Sequence, residues 1–382
     1  MSFPRGRTAI VGAATHGIGE APGRSATELA ALAAVTALRQ AGLRPSDVDG
    51  VFGSLMGSAL CGLKLSEYLG IRPRLTNNNR VGGSSFQTHV LWAALALEAG
   101  MCDVALIAYG SNQRSAAGKL VGAVPWSPHD APYGALRPVS AYAFGAARHM
   151  HEFGTTREQM AEVAVAARRW AALNPDAFMR GPLEIADVLA ARTVSAPLGV
   201  RDCCLVTDGA AALVMTRAER AADLAARPVH VLGAGEATHH LDISGSHDLV
   251  RTAAIESGAR AFAQAGYGPA DMDVVELYDA FTINTILFLE DLGFCPKGEG
   301  GRFVEGGRIA PGGALAVNTN GGGLSCVHPG AYGLFTLVEA AQQLMGVAGK
   351  RQIAGARLAV AHGNGMELSS QATVVLGTAE TV

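Results

Sequence analysis

Apolar and polar positions along this chain follow two rhythms, and the switches between them mark its elements. Short apolar runs bounded by glycine or turn residues, such as "TAIVGAATHG" (8–17) and "DVALIAYGSN" (103–112), read as buried strands. Between the strands lie stretches with apolar residues every three to four positions, the period of a helix. The same succession then comes round again. "ALRQAGLRPSDVDGV" (37–51) and "AFAQAGYGPADMDVV" (261–275) agree at eight of fifteen positions. Each closes a helix on glycine, turns through Pro and Asp, and enters a strand.

The correspondence extends to both sides. "TAIVGAATHG" matches "VHVLGAGEATHH" (229–240), and "DVALIAYGSN" matches "RLAVAHGNGM" (357–366). "LTNNNRVGGSSF" (75–86) matches "AVNTNGGGLSCV" (316–327), each reading as strand, Asn/Gly turn and helix start. Four matches in order predict two duplicated α/β halves, 1–225 and 226–382, each a mixed sheet flanked by helices. An insertion at about 113–205 has no counterpart in the second half. It carries Pro-rich loops ("VPWSPHDAPYG", "LRPVS") and helical runs near 141–154 and 156–173. On a symmetric scaffold, such an insertion is a natural carrier of substrate contacts.

Composition narrows the function. With 382 residues, 49% of them hydrophobic, the chain has ample material for a core. A net charge of −3 and the lack of a basic cluster argue against nucleic acid. No 18-residue apolar stretch is present to span a membrane, and "MSFPRGRTAIVGAA" does not read as an export signal. The expectation is a cytoplasmic protein with reduced thiols at its six cysteines, 61, 102, 203, 204, 295 and 326. No zinc-like Cys/His spacing exists, so no metal is expected.

One segment concentrates candidate chemistry. "NTNGGGLSCVHPGAYG" (318–333) places Cys326 and His328 two residues apart in a glycine-rich bend. A metal site, a Cys–His nucleophile pair, a phosphate cradle and a plain loop would all suit that pattern. The glycines lack the Lys-Ser/Thr of a P-loop, and further metal ligands are missing.

Four blocks in order carry a family resemblance: "DCCLVTDGAAALVMT" (202–216), "ELYDAFTINTILFLEDLGFCPKGEGGRF" (276–303), "VNTNGGGLSCVHPGAYG" (317–333) and "AHGNGMELSSQATVVLG" (361–377). With the duplication, they resemble the thiolase superfamily over nearly the whole chain, in its sterol-carrier-protein-type branch, which includes acyl-CoA retro-aldolases. The resemblance implies a thiolase-like five-layered αβαβα fold, two sheets around buried central helices, and a homodimer. It implies acyl-CoA thioester substrates with the insertion helping to hold CoA, and no cofactor beyond the CoA of the substrate. Relatives in the branch often associate with a small protein combining an OB-like barrel and a zinc ribbon.

The resemblance also assigns roles. His328 stands in the family's Gly-His-Pro motif, here Val-His-Pro, and would move a proton at the carbon beside the thioester or hold the enolate oxygen. The family's nucleophilic Cys opens the buried helix of the first half. "NNNRVGGSSFQTHVLWAALALEAG" (77–100) has none, which puts Gly83 at that place with Ser84 as the alternative. A serine there would need an adjacent base, and Ser84 and Ser85 read equally as helix caps. In the last Gly-rich turn His362 is a candidate acid or base, with Asn364 and Gly365 as candidate oxyanion support. Tyr278 replaces the family's Asn or His in "ELYDAF", as in relatives that cleave β-hydroxyacyl-CoA. Its phenol would donate to an oxyanion or accept a hydroxyl proton. Asp279 would orient its neighbours, and Gly322 and Gly323 would let backbone approach the thioester. Cys326 reads as a small buried residue or, alternatively, a nucleophile; Cys203 and Cys204 read as packing. The expected function is therefore C–C bond chemistry on a CoA thioester, foremost retro-aldol cleavage of a β-hydroxyacyl-CoA without an acyl-enzyme. The alternatives are an acyl-CoA acyltransferase using Ser84 or Cys326, and a catalytically silent acyl-CoA- or lipid-binding subunit.

Overall fold

In a computed structural model the described residues are 3–55, 57–117, 130–224 and 227–382. The first half runs β1 (Thr8–Gly19), α1 (Ala26–Gln40), β2 (Gly50–Leu55), α2 (Cys61–Leu69), β3 (Leu75–Asn77), α3 (Ser85–Glu98) and β4 (Val104–Ser111). The insertion follows with α4 (Gln113–Ala117), α5 (Val139–Phe153), α6 (Arg157–Leu173), α7 (Ile185–Leu189) and a hairpin of β5 (Thr193–Ser195) and β6 (Leu198–Gly199). β7 (Asp208–Arg217) and α8 (Ala218–Ala221) lead on to the second half. That half comprises β8 (Val229–Thr238), α9 (Ala254–Ala265), β9 (Val274–Leu277), α10 (Thr282–Asp291), α11 (Gly300–Phe303), β10 (Ala316–Val317), α12 (Gly333–Met345), β11 (Leu358–Gly365) and β12 (Ser370–Gly377). The helical runs expected in the insertion are α5 and α6; residues 124–129 of its expected Pro-rich loop lie outside the described residues.

Strand order reads the same from either end. β3-β2-β4-β7-β1 in one half is answered by β10-β9-β11-β12-β8 in the other. In each half the first three strands are parallel and the last two antiparallel. The two separate sheets implied by the resemblance are joined into one ten-stranded ladder, because β1 and β8 pair at Ala9↔His230 and Ile10↔Val229.

The layers follow from which helices are apolar all round. α1 covers β1, β4 and β7, and α9 covers β8 and β12. α3 packs on β2, β4 and β7 of its own half and on β8, β11 and β12 of the other; α12 likewise packs on β9, β11, β1 and β7. Both central helices are buried on nearly every face, as a helix between two sheets must be. The result is five layers, α1 | strands | α3 and α12 | strands | α9. Two glycines at matching repeat positions bring the outer helices close. A Cβ on Gly12 would fall 2.0 Å from the Ala37 carbonyl oxygen, and one on Gly233 would fall 2.1 Å from that of Ala261.

The helix start expected directly after the second Asn/Gly turn is absent. Gly322–Cys326 form a single π-helical turn, and α12 begins only at Gly333. Pro329 accounts for this: its ring disfavours a helical residue before it and it lacks an N–H. Buried charge ties the insertion to this half. His149 of α5 meets Glu290 of α10 at 3.0 Å, and Lys297 bridges Glu290 and Asp291 at 3.0 and 2.5 Å.

Candidate active site

β9 lies between β10 and β11 as parallel neighbours, so its C-terminal end delivers Tyr278 to the edge where open α/β sheets bind ligands. The π turn and Val327 deliver His328 to the same place. The hydroxyl of Tyr278 lies 3.1 Å from His328 Nε2, and the rings meet edge to face at 86°. The Tyr332 backbone N–H donates to the same phenol oxygen at 3.1 Å. In the tautomer with the imidazole proton on Nδ1, the phenol accepts from Tyr332 and donates its own proton to Nε2. Nδ1 is buried and has no hydrogen-bond partner. The His328 backbone N–H is held by Thr207 Oγ1 at 3.0 Å.

Burial sets the charge of both groups. Desolvation pushes His328 from 6.5 down to about 4 and the Tyr278 phenol well above its usual range. At neutral pH the pair is therefore uncharged. Asp279 is also fully buried, and its Oδ1 accepts the Gly323 N–H at 2.6 Å. Desolvation raises its carboxyl to about 7 against the opposing pull of backbone N–H donors.

The two loop glycines serve this carboxylate. A Cβ on Gly322 would sit 2.0 Å from Asp279 Oδ2, and one on Gly323 would sit 3.2 Å from both Asp279 Oδ1 and His328 Cδ2. These glycines bring the loop backbone close to Asp279 and the His328 ring. Asp279 fixes the turn that presents His328.

Other expected site residues lie apart from the pair. Ser84 Oγ contacts Val81 O at 3.2 Å and Ser370 Oγ at 2.9 Å, fully buried and with no base at hand. Neither serine caps α3. Ser84 makes no capping bond, and Ser85 Oγ instead accepts from Val81 N and donates to Gly82 O, closing the turn before the helix. Cys326 points its sulfur at Asn174 Nδ2, 3.5 Å away, and burial holds its thiol far above the ordinary range. Cys203 donates to Gly199 O at 3.3 Å and is pushed up to about 12, and half-buried Cys204 is also raised. These thiols have no activating imidazole, so the Cys326–His328 pair does not form.

His362 is saturated by neutral partners. Its Nδ1 meets Thr373 Oγ1 at 2.8 Å and its Nε2 meets Gln371 Oε1 at 3.0 Å, while burial depresses it to about 3. From Gln371 a chain runs on to Asn364 Oδ1 at 2.7 Å and from Asn364 Nδ2 to the Tyr142 hydroxyl at 2.8 Å. Gly365 abuts the loop before α3, where a Cβ would meet Val81 O at 1.9 Å. The His362 carbonyl accepts the Tyr278 N–H at 3.1 Å, which ties this strand to the pair. The contacts that motif reading missed are Thr207, Tyr332 and Tyr142. The HPGAYG spacing offered a weak signal for Tyr332; the other two have none in the sequence. Among the described residues no group of His, Cys, Asp or Glu is placed to hold a metal ion. Nor is any helix among them long and apolar enough to cross a membrane.

This arrangement can pass a proton between a phenol and an imidazole whose other ring nitrogen is buried without a partner. The chain is similar to known acyl-CoA enzymes over most of its length. Residues 235–378 match the family described as thiolase C-terminal domain-like. Over 366 residues, 89% of this chain, the sequence is 34% identical to 17-hydroxy-3-oxo-4-pregnene-20-carboxyl-CoA lyase of Mycobacterium tuberculosis and covers 92% of it. It is 32% identical to acetyl-CoA acetyltransferase of Methanothermobacter thermautotrophicus over 94% of this chain and 96% of that one. Among solved structures, the Ltp2-ChsH2(DUF35) aldolase superposes with a TM-score of 0.89 at 30% identity, covering 98% of each chain.

Proposed function

Because this chain belongs to the thiolase superfamily, in the sterol-carrier-protein-type branch that includes steroid side-chain-cleaving aldolases, we propose that it cleaves β-hydroxyacyl-CoA thioesters by a retro-aldol reaction. It is an enzyme of C–C bonds in acyl-CoA, and the choice between aldol and acyl-transfer chemistry turns on the side chains at the end of β9. The carrying observation is the Tyr278–His328 hydrogen bond in a site without an activated thiol or serine.

The substrate's β-hydroxyl proton passes to the Tyr278 oxygen as the phenol proton passes to His328 Nε2. The Cα–Cβ bond breaks, its electron pair forming the thioester enolate, and the β-carbon leaves as a ketone or aldehyde. In the tautomer with its proton on Nδ1, His328 has an unpartnered buried donor suited to the enolate oxygen. An imidazolium depressed to about 4 is a strong acid at neutral pH, and the proton returns through the phenol to the α-carbon. Atoms balance without a cofactor or second substrate.

The relative from Mycobacterium tuberculosis suggests the substrate class, a steroid whose side-chain CoA ester bears a β-hydroxyl on a ring carbon. Incubation with 17-hydroxy-3-oxo-4-pregnene-20-carboxyl-CoA should release a ring ketone and a shortened acyl-CoA. Thiolysis of β-ketoacyl-CoA by added CoA, with no cleavage of the hydroxy ester, would overturn the reading and favour the acetyltransferase likeness. The solved aldolase also supports a small DUF35 partner for this chain, of the OB-barrel and zinc-ribbon kind, and co-expression should raise turnover. The halves 1–225 and 226–382 and a homodimer remain part of this proposal.

A further inference from the structure

Position 83 is open to side chains in conformation and closed to them in space. Gly83 lies in the short turn Gly82–Ser84 before α3, and its φ is outside the left-handed region. A Cβ there would nevertheless fall 2.1 Å from Tyr278 Cε2 and 2.6 Å from both Tyr278 Cζ and the Asn364 carbonyl oxygen. Real Cβ atoms essentially never approach other heavy atoms within 3.0 Å. The phenol ring has little freedom to yield. Its oxygen is fixed by the Tyr332 N–H and by His328 Nε2, and the Tyr332 and His328 rings stand edge-on to it at 79° and 86°.

We infer that Gly83 is a specificity-determining residue: Tyr278 and any side chain at position 83 exclude each other, so position 83 cannot carry a covalent nucleophile while the phenol is in place. The site holds either a group that attacks the thioester from position 83 or a tyrosine that works on the β-hydroxyl. This choice of reaction rests on the retro-aldol reading, whereas the steric exclusion stands on geometry alone.

A double-mutant cycle separates the two. Gly83→Ala should lower the melting temperature of the full chain by at least about 2 °C and cut turnover at least about 10-fold, since overpacking must displace the ring. In a Tyr278→Ala background the same substitution should lose much less stability, with the Asn364 carbonyl accounting for the remainder. In a Tyr278→Phe background the loss should stay as in the wild type, because the ring and not the hydroxyl is the obstacle. If Gly83→Ala is insoluble alone, soluble protein from the Tyr278→Ala double variant is the same result. Equal losses in the wild-type and Tyr278→Ala backgrounds, or insolubility in both, would overturn the inference. So would an acetyl group trapped from acetyl-CoA on the position-83 peptide of Gly83→Cys with Tyr278 intact. The melting data do not depend on the reaction, so a coupled cycle in a protein that releases no ketone would defeat the proposed function and leave this inference standing.

Discussion

Burial acts on Tyr278 and His328 in opposite senses, raising the phenol and lowering the imidazole, so proton transfer between them is uphill and has to be coupled to cleavage of the Cα–Cβ bond. Tyr278→Phe keeps the ring and removes the relay together with the acceptor of the Tyr332 N–H. It should reduce kcat by about 10²–10⁴-fold, with a modest drop in melting temperature from the orphaned N–H. Since His328 takes a proton only near pH 4, kcat in the Asp279→Asn background, which lacks the carboxyl titrating near 7, should stay flat as pH falls from 9 to about 5 and drop below that. A break near the ordinary imidazole value of 6.5 in the pH–rate profile of that variant would contradict it. His362 offers the contrast. His362→Gln should leave kcat within about 3-fold, because the ring touches no reacting group. Its folded pKa, about 3, lies below the unfolded value of 6.5, so the unfolded chain binds the extra proton between those values. Stability is lost as pH falls through that window, and the variant should shed up to about 1.4 kcal/mol per pH unit of this slope, measured by denaturant unfolding at pH 6.5 and 4.5. Both histidines sit in glycine-rich motifs and look alike in sequence. What separates them is Thr373 and Gln371 on β12, partners fixed by strand pairing rather than by neighbouring residues.

At the level of elements, the π turn between Asn320 and Val327 decides where His328 points, and Asp279 holds it. Asp279→Ala removes the acceptor for the Gly323 N–H and should lower kcat at least about 10-fold. Asp279→Asn keeps an oxygen there and should do less harm. The folded carboxyl titrates near 7, above its unfolded 3.8, so the folded state holds the proton more tightly. Its ionisation therefore lowers stability as pH rises from about 4 to 7, and the full penalty applies above 7. Thermal melts should show Asp279→Asn gaining on the wild type between pH 5 and pH 8. Strands and long helices were legible in the sequence because periodicity and glycine punctuation are local. The π turn was not, since its shape depends on a carboxylate 44 residues earlier reaching the Gly323 N–H. The Tyr332 contact was equally hidden, because the donor is a backbone N–H that every residue but proline possesses.

For the whole molecule, the repeat at 37–51 and 261–275 pointed to a symmetry that the strand order displays in full. Gly12 and Gly233 repeat the same close contact with α1 and α9, which ties the symmetry to packing as well as topology. The joining of the two sheets was illegible, since only two residue pairs across β1 and β8 make it. More consequential is the exchange at the centre, where α3 lies against three strands of the second half and α12 against two of the first. During synthesis, α3 therefore leaves the ribosome with one apolar flank bare, and nothing in the N-terminal portion can cover it. That flank stays sticky until β8, β11 and β12 have been made, so the chain matures late and as one unit, and its nascent form is a natural client for chaperones.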